Sequence, residues 1–378
     1  MYNATSLTVY DDKTMIEKYQ NLIQYEALTI WSDKDLKSLN FINSLNINTL
    51  EIYNCKNIIP KLESNIIKKL KIVNCKILSI KEFQLENLEV LCISNISNQL
   101  ESKMLAQEIN RFLKLKKLVL HGWIIDTTQI SQMTDLTNLG LSNCCLLTTE
   151  ALRTYLPFVN LEKLNMFENQ KISITSLQQM TRLTQLGLSG CGLFSVDALQ
   201  PLINLEELQL HQNKGINITS IQYLINLTKL NLESCNLVSL DALRPLCKLE
   251  ELDISWNSII YLQPIKELKY LCKLDARNNK IIDSQAIQQH INLEKFDLRN
   301  QEQPIKEQLE AATVWKLISS PITSLKYMCM QASHIKHQNI IFRKIITQQL
   351  HNSQYGHEPF LAQVALHFQK MNAFEDVQ

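Results

Sequence analysis

The chain has 378 residues, more than one hydrophobic core normally serves, so several domains or a repeat array is expected. Its formal net charge is +1 with 20% charged residues, which gives no global field to draw it to nucleic acid or an anionic membrane. Apolar residues make up 45%, enough for a packed core and too many for a disordered scaffold.

The chain begins MYNATSLTVYDDK, without the basic start, apolar run and small-residue site of a secretory leader. No stretch nears the ~18 apolar residues of a spanning helix. A cytoplasmic protein with no membrane partner is expected. Asn-x-Ser/Thr triplets at Asn3, Asn95, Asn217 and Asn226 arise readily by chance in an Asn-rich chain and carry little weight. In residues 1–24, DDKTMIEKYQNLI has an Asp-rich start and spaced Met15, Ile16, Tyr19 and Leu22. That pattern predicts a short amphipathic helix serving as an N-terminal cap.

Residues 25–301 repeat L-x-x-L-x-L-x-x-N/C. Seven clear copies start at Leu161, Leu183, Leu205, Leu227, Leu249, Leu271 and Leu293, each 22 residues after the last. Looser copies start at Tyr25, Ile47, Ile67, Leu88, Leu115 and Leu136, with spacings of 20 to 27, so about 13 turns are visible. The first, fourth and sixth positions of stacked copies build one apolar core that no single turn could close.

The pattern resembles the leucine-rich-repeat family, and its 22-residue period resembles the subfamily typified by a regulatory subunit of protein phosphatase 1. The resemblance implies an α/β solenoid: a curved parallel β-sheet, short helical or 3-10 turns on the convex side, and helical caps. It also implies a concave face that holds another protein.

The ninth position follows the strand, where a small residue with a polar atom can satisfy backbone groups. It is Cys55, Cys75, Cys144, Asn169, Cys191, Asn213, Cys235, Asn257 and Asn279, while Ile96, Trp123 and Gln301 are expected to depart from this ladder. Five of the ten cysteines therefore have a structural role. The others, Cys92, Cys145, Cys247, Cys272 and Cys329, form no C-x-x-C pair, and free thiols are expected. Connecting segments alternate: TEALRTYLPFVNL, VDALQPLINL and LDALRPLCKL carry Pro157, Pro201 and Pro245, whereas ITSLQQMTRL and ITSIQYLINL lack that proline. Two-turn duplication accounts for this, with Asp197 and Asp241 placed to cap short convex helices. Residues 302–378 abandon the repeat and are expected to form a helical C-terminal cap or small module, with breaks near Pro321 and Gly356–Pro359.

No P-loop, G-x-G-x-x-G, H-E-x-x-H or G-x-S-x-G occurs, and the cluster Gly187, Gly190, Gly192 reads as small residues on a tight turn. His334 and His337, near Cys329, are too few for a zinc site, and the basic residues around Arg343 and Lys344 too few for nucleic acid. The expectation is a non-enzymatic scaffold with no cofactor or metal and a protein partner. The alternatives are a phosphatase-regulatory subunit, or an enzymatic or metal-binding module in 302–378 recruited by the repeats.

Strand alternation turns the third, fifth and seventh positions away from the leucine core, with the eighth at the strand end. The outward residues expected to bind are Phe167, His211 and Glu233, then Asp253, Trp256, Asp275, Arg277, Asp297 and Arg299. Trp256 stands out as a large aromatic at a normally solvated strand end. The aspartates and arginines form a ladder able to pair internally or engage a charged partner.

Overall fold

The computed structural model describes residues 6–10, 26–32, 42, 45–55, 62–75, 80, 83–94, 107–125, 130, 132–144, 160–170, 172–282, 285–288, 290 and 292–301. The predicted helix in 11–24, Ile96, Cys145, Pro157 and everything from residue 302 onward lie outside the described residues. The chain divides into two compact units, Met1–Cys235 and Asn236–Gln378.

Every predicted copy carries a strand. In the first unit these are β1 (Ser6–Tyr10), β2 (Ala27–Trp31), β3 (Thr49–Tyr53), β4 (Leu62–Glu63), β5 (Lys69–Val73), β6 (Phe83–Gln84) and β7 (Val90–Ser94). There follow β8 (Lys117–His121), β9 (Asn138–Ser142), β10 (Lys163–Asn165), β11 (Gln185–Gly187), β12 (Glu207–Gln209) and β13 (Lys229–Asn231). All but β4 and β6 join one parallel sheet in chain order, while those two pair with each other. Like positions face like positions, as in Leu50 opposite Leu70 and Leu186 opposite Leu208. In the second unit β14 (Glu251–Asp253), β15 (Lys273–Asp275) and β16 (Lys295–Asp297) pair in the same parallel fashion. The architecture is a parallel β-sheet solenoid with little helix.

The leucines meet the expected core. Leu205, Leu208 and Leu210 are 0% exposed, and each such burial contributes about 2 kcal/mol. In β16 the edge position leaves Phe296 and Leu298 half-buried. Ser6–Tyr10, inside the segment expected as a cap, is itself a strand, with Leu7 opposite Leu28 and Val9 opposite Ile30. Its copy has Ala4 for the first leucine and Asp12 at the ninth position, so the repeat pattern does not show it.

Strand length changes along the chain. The sheet strands from β1 to β9 have five residues, and β10 to β16 have three. At β10 and β13 the fifth-position side chain takes the N–H two residues on: Asn165 Oδ1 accepts from Phe167 N at 3.0 Å and Asn231 Oδ1 from Glu233 N at 2.9 Å. In the second unit Asp253, Asp275 and Asp297 do the same for Ser255, Arg277 and Arg299, at 2.9, 3.2 and 3.0 Å. An N–H so diverted cannot bond the preceding strand, which leaves that strand's sixth carbonyl open.

The ninth-position side chain donates to this sixth carbonyl, both in those turns and in the turns of Gly187 and Gln209. Asn169 Nδ2 donates to Leu141 O at 2.6 Å, Cys191 Sγ to Met166 O at 3.1 Å, Asn213 Nδ2 to Leu188 O at 2.9 Å and Cys235 Sγ to Leu210 O at 3.3 Å. Asn213 also donates to Leu210 O at 2.7 Å and accepts Leu193 N–H at 3.0 Å. In the second unit Asn279 Nδ2 donates to Ile254 O at 2.9 Å. Gln301 corrects the sequence expectation: its Nε2 donates to Ala276 O at 2.9 Å and its Oε1 accepts Ile281 N–H at 3.0 Å, so it completes the ladder with one more methylene. Trp123 does depart: its indole fills the position at 0% exposure with no acceptor for Nε1 among the described residues.

The pairwise period appears as alternating 3-10 turns. In the first unit Thr175–Gln179 and Thr219–Tyr223 have five residues and flank the three-residue Asp197–Leu199. In the second unit Asp241–Leu243 and Gln263–Ile265 each have three. Asp197 and Asp241 do not cap these turns with their side chains. The capping oxygen comes from two residues earlier, Ser195 Oγ accepting Asp197 N–H and Ser239 Oγ accepting Asp241 N–H, both at 3.1 Å. Asp197 instead accepts from Ser220 Oγ on the next turn, and Asp241 from Arg244. Sequence reading also missed a second asparagine column, one residue before the first leucine. There Asn87, Asn204 and Asn226, and Asn292 in the second unit, donate to a carbonyl of the preceding turn at 2.8–2.9 Å.

Two outcomes follow. Asn213→Ala removes the donors to two carbonyls and leaves Leu193 N–H unpaired, and is expected to cost about 2–4 kcal/mol in urea unfolding. Asn213→Cys keeps a donor and should cost less. Burial pushes the Cys191 and Cys235 thiols up to about 11, so near pH 8 both remain protonated. Iodoacetamide mapping by mass spectrometry should label exposed Cys247 and spare both.

Candidate functional site

The face of the sheet away from the leucines carries the third, fifth and seventh positions, and the eighth residue begins the departing loop. From Asn54 onward that residue is left-handed in the described turns: Asn54, Asn74, Gly122, Asn143, Glu168, Gly190, Gln212 and Ser234, and in the second unit Trp256, Asn278 and Asn300. The conformation turns the chain out of the sheet while its N–H still reaches the next strand's seventh carbonyl, as in Gln212 N to Glu233 O at 2.8 Å. Asn and Gly tolerate it, whereas a bulky side chain is strained by about 1–2 kcal/mol.

On the first unit, Phe167, His211 and neighbouring small residues form one cluster. The Phe167 and His211 rings meet edge-on with centroids 5.8 Å apart. His211 Nδ1 shares a hydrogen bond of 2.7 Å with Ser189 Oγ. Phe167 lies over Gly187, where any Cβ would collide with the ring. The serine, histidine and Glu233 occupy the seventh position of three successive strands, an order that invites comparison with a catalytic triad. Ser189, however, is 2% exposed and bonds Nδ1, so it presents no nucleophile to a substrate. Glu233 is half-buried, and its N–H is held by Asn231.

On the second unit the acidic and basic positions pair with one another. Arg277 Nε reaches Asp275 Oδ1 at 2.8 Å and its Nη2 reaches Oδ2 at 2.7 Å, while Asp297 Oδ2 lies 3.8 Å away. Hydrogen bonding to Asp275 holds the Arg277 guanidinium above its ordinary value. Arg299 Nε donates to both oxygens of Asp297 at 2.9 and 2.7 Å. Asp253 Oδ1 accepts from both N–H and Oγ of buried Ser255, the latter at 2.6 Å. The aspartates thus also serve the backbone. Trp256, at φ 57°, is 56% exposed and does not fold into the core.

Sequence reasoning missed a second aromatic group, on the first unit. Trp31 and Tyr53, at the seventh position of β2 and β3, stack with centroids 4.3 Å apart and planes inclined by 8°. Lys71 Nζ sits 5.3 Å from the Tyr53 ring centre, and Tyr53 Oη donates to Glu51 at 2.7 Å. Burial raises the Tyr53 phenol, and its hydrogen bond raises Lys71, so both keep their protons at neutral pH. The signal was present, since two aromatics stand at one repeat position in adjacent copies. The copies there are irregularly spaced, which obscures the shared position.

No family model matches the chain, and no curated protein matches it. Among solved structures, an internalin (inlF) from Listeria monocytogenes superposes with a TM-score of 0.60 at 20% identity, covering 79% of this chain and 87% of that one. A leucine-rich-repeat protein of Leptospira interrogans gives 0.53 at 20% identity, covering 78% and 81%. The functional domain of InlJ from Listeria monocytogenes, described as including a cysteine ladder, gives 0.51 at 18%, covering 76% and 56%. The fold is that of leucine-rich-repeat proteins. With 357 chains matching, so widely shared a fold picks out no partner. Among the described residues no group of His, Cys, Asp or Glu could hold a metal ion, and no helix is long and apolar enough to cross a membrane.

Replacing Trp256 by Asn relieves the left-handed strain and removes exposed apolar surface. Thermal melting of Trp256→Asn should show a gain of about 1 kcal/mol, and a loss would mean the indole packs structurally.

Proposed function

We propose that this protein is a non-enzymatic scaffold that holds another protein on the solvent face of its sheet. The observation that carries the reading is Trp256, a large aromatic kept half-exposed in a strained backbone conformation where the two following copies use Asn278 and Asn300. A residue that costs stability and stays in water has its use in a complex. The Trp31–Tyr53 stack on the first unit supports the same reading, because rigid aromatic surface is what interface anchors supply. The free thiols of the described cysteines fit a reducing, cytoplasmic compartment. A 22-residue period sets how turns stack and carries no partner identity, so phosphatase regulation has no observation of its own.

Affinity purification of the full chain followed by mass spectrometry tests this. Partners retained by the wild type and by Phe194→Ala, on a connecting segment, should be lost from a Trp31→Ala/Trp256→Ala double variant. An unchanged partner set in that variant contradicts the reading.

A further inference from the structure

Charge on the solvent face is unevenly resolved. On the second unit Glu251, Asp253, Asp275 and Asp297 stand beside Lys273, Arg277, Lys295 and Arg299, and the structure pairs Lys273 with Glu251 at 2.9 Å as well as the two arginines with their aspartates. On the first unit the face from β2 to β10 carries Lys69, Lys71, Lys117 and Lys163 against a single acid, Glu51, which is engaged by Tyr53. None of Lys69, Lys117 and Lys163 has a carboxylate within ion-pair distance among the described residues. The excess is confined to the face itself: on the flank Lys68 and Lys116 share Glu89 at 3.6 and 3.1 Å, and Glu26 and Glu162 stand at the same repeat position.

The lysines are also regularly placed. Register puts Thr49, Lys69, Val90, Lys117, Asn138 and Lys163 side by side at the third position of β3, β5, β7, β8, β9 and β10. From β5 to β10 every second strand of the sheet presents a lysine, at intervals of about 10 Å. Valines at 73, 90 and 119 lie between and beside them, half-buried. The Trp31–Tyr53 stack lies at the β2–β3 end of this column.

We propose that this face binds an extended acidic polypeptide segment lying across the strands, its carboxylates meeting Lys69, Lys117 and Lys163 and an apolar side chain resting on Trp31. The proposal rests on the scaffold reading and names the chemistry of its partner. An extended chain advances about 3.3 Å per residue, so acidic residues three apart repeat at the lysine spacing. Nucleic acid fits less well: its phosphates recur about every 3.4 Å along a strand, and this face offers only lysines at wide intervals, valines between them and a carboxylate.

The test is fluorescence anisotropy of the full chain with a labelled synthetic peptide carrying glutamate at every third residue and a leucine at one end. A peptide with lysine for glutamate and a single-stranded DNA of similar length serve as comparisons. The acidic peptide should bind, weaken as NaCl rises from about 0.05 to about 0.5 M, and lose about tenfold or more in affinity to a Lys69→Glu/Lys117→Glu/Lys163→Glu variant whose melting is unchanged. Trp31→Ala should weaken the leucine-ended peptide and leave one ending in serine unaffected. Absence of acidic-peptide binding, equal binding by the charge-reversed variant, or tighter binding of the DNA would overturn the proposal. The broader scaffold reading fails separately, when cellular partners survive loss of both Trp31 and Trp256. Partners lost with the tryptophans but kept by the lysine variant leave that reading standing and sink this one.

Discussion

The sixth-position carbonyl of each strand governs this molecule. When the next turn's seventh N–H is taken by its own fifth-position Asn or Asp, that carbonyl loses its strand partner, and a buried carbonyl without one costs about 1–3 kcal/mol. The ninth-position Asn, Cys or Gln of the next turn restores it, and where the fifth position is Gly187 or Gln209 the same bond is made by Cys191 and Asn213. In β10, β13, β14, β15 and β16 the short strand and the side-chain column therefore act as one device, while left-handed exits also follow the five-residue strands. Where the fifth position is Thr29, Glu51, Lys71, Cys92, Val119 or Gly140, strands run to five residues, and the cysteine contacts are longer, 3.8 Å for Cys75 to Ile52 O and 3.5 Å for Cys144 to Leu120 O; Gly187 and Gln209 sit in three-residue strands.

That device determines which surface is available. In the second unit the fifth-position aspartates are held by backbone and arginine, so the charged ladder there is closed on itself. In the first unit the longer strands free the fifth and seventh positions from backbone duty, and Lys71, Trp31 and Tyr53 stand there. The exposed chemistry follows from where the backbone does not need side chains.

The apolar repeat made the fold legible: leucines at positions one, four and six can be buried together only by stacking, and each copy from Tyr25 to Leu293 carries a strand. The ninth-position column was legible for the same reason. Three features were not. The β1 strand lacks the first leucine. Gln301 differs in chemistry from Asn only by length, and pattern matching rejects it. The left-handed eighth residue depends on a backbone angle, which Asn at several copies hints at but Trp256, Glu168 and Gln212 conceal. For the face, position alternation separated the third, fifth and seventh positions from the leucine core, yet the burial of Ser189 and Ser255 and the pairing of side chains could not be read from spacing. Asp275 with Arg277 and Phe167 over Gly187 are contacts within and between neighbouring turns that only side-chain geometry reveals.

The central claim is that a protein partner lies on the solvent face of the sheet. Hydroxyl-radical footprinting of the purified complex against the free chain addresses it directly. The account predicts protection at Trp31 and Tyr53 for a partner held on the first unit, or at Trp256 for one held on the second, with Phe194, Tyr223 and Tyr270 on the connecting segments oxidised equally in complex and free chain. Protection confined to those connecting residues, with the tryptophans as reactive as in the free chain, would contradict it.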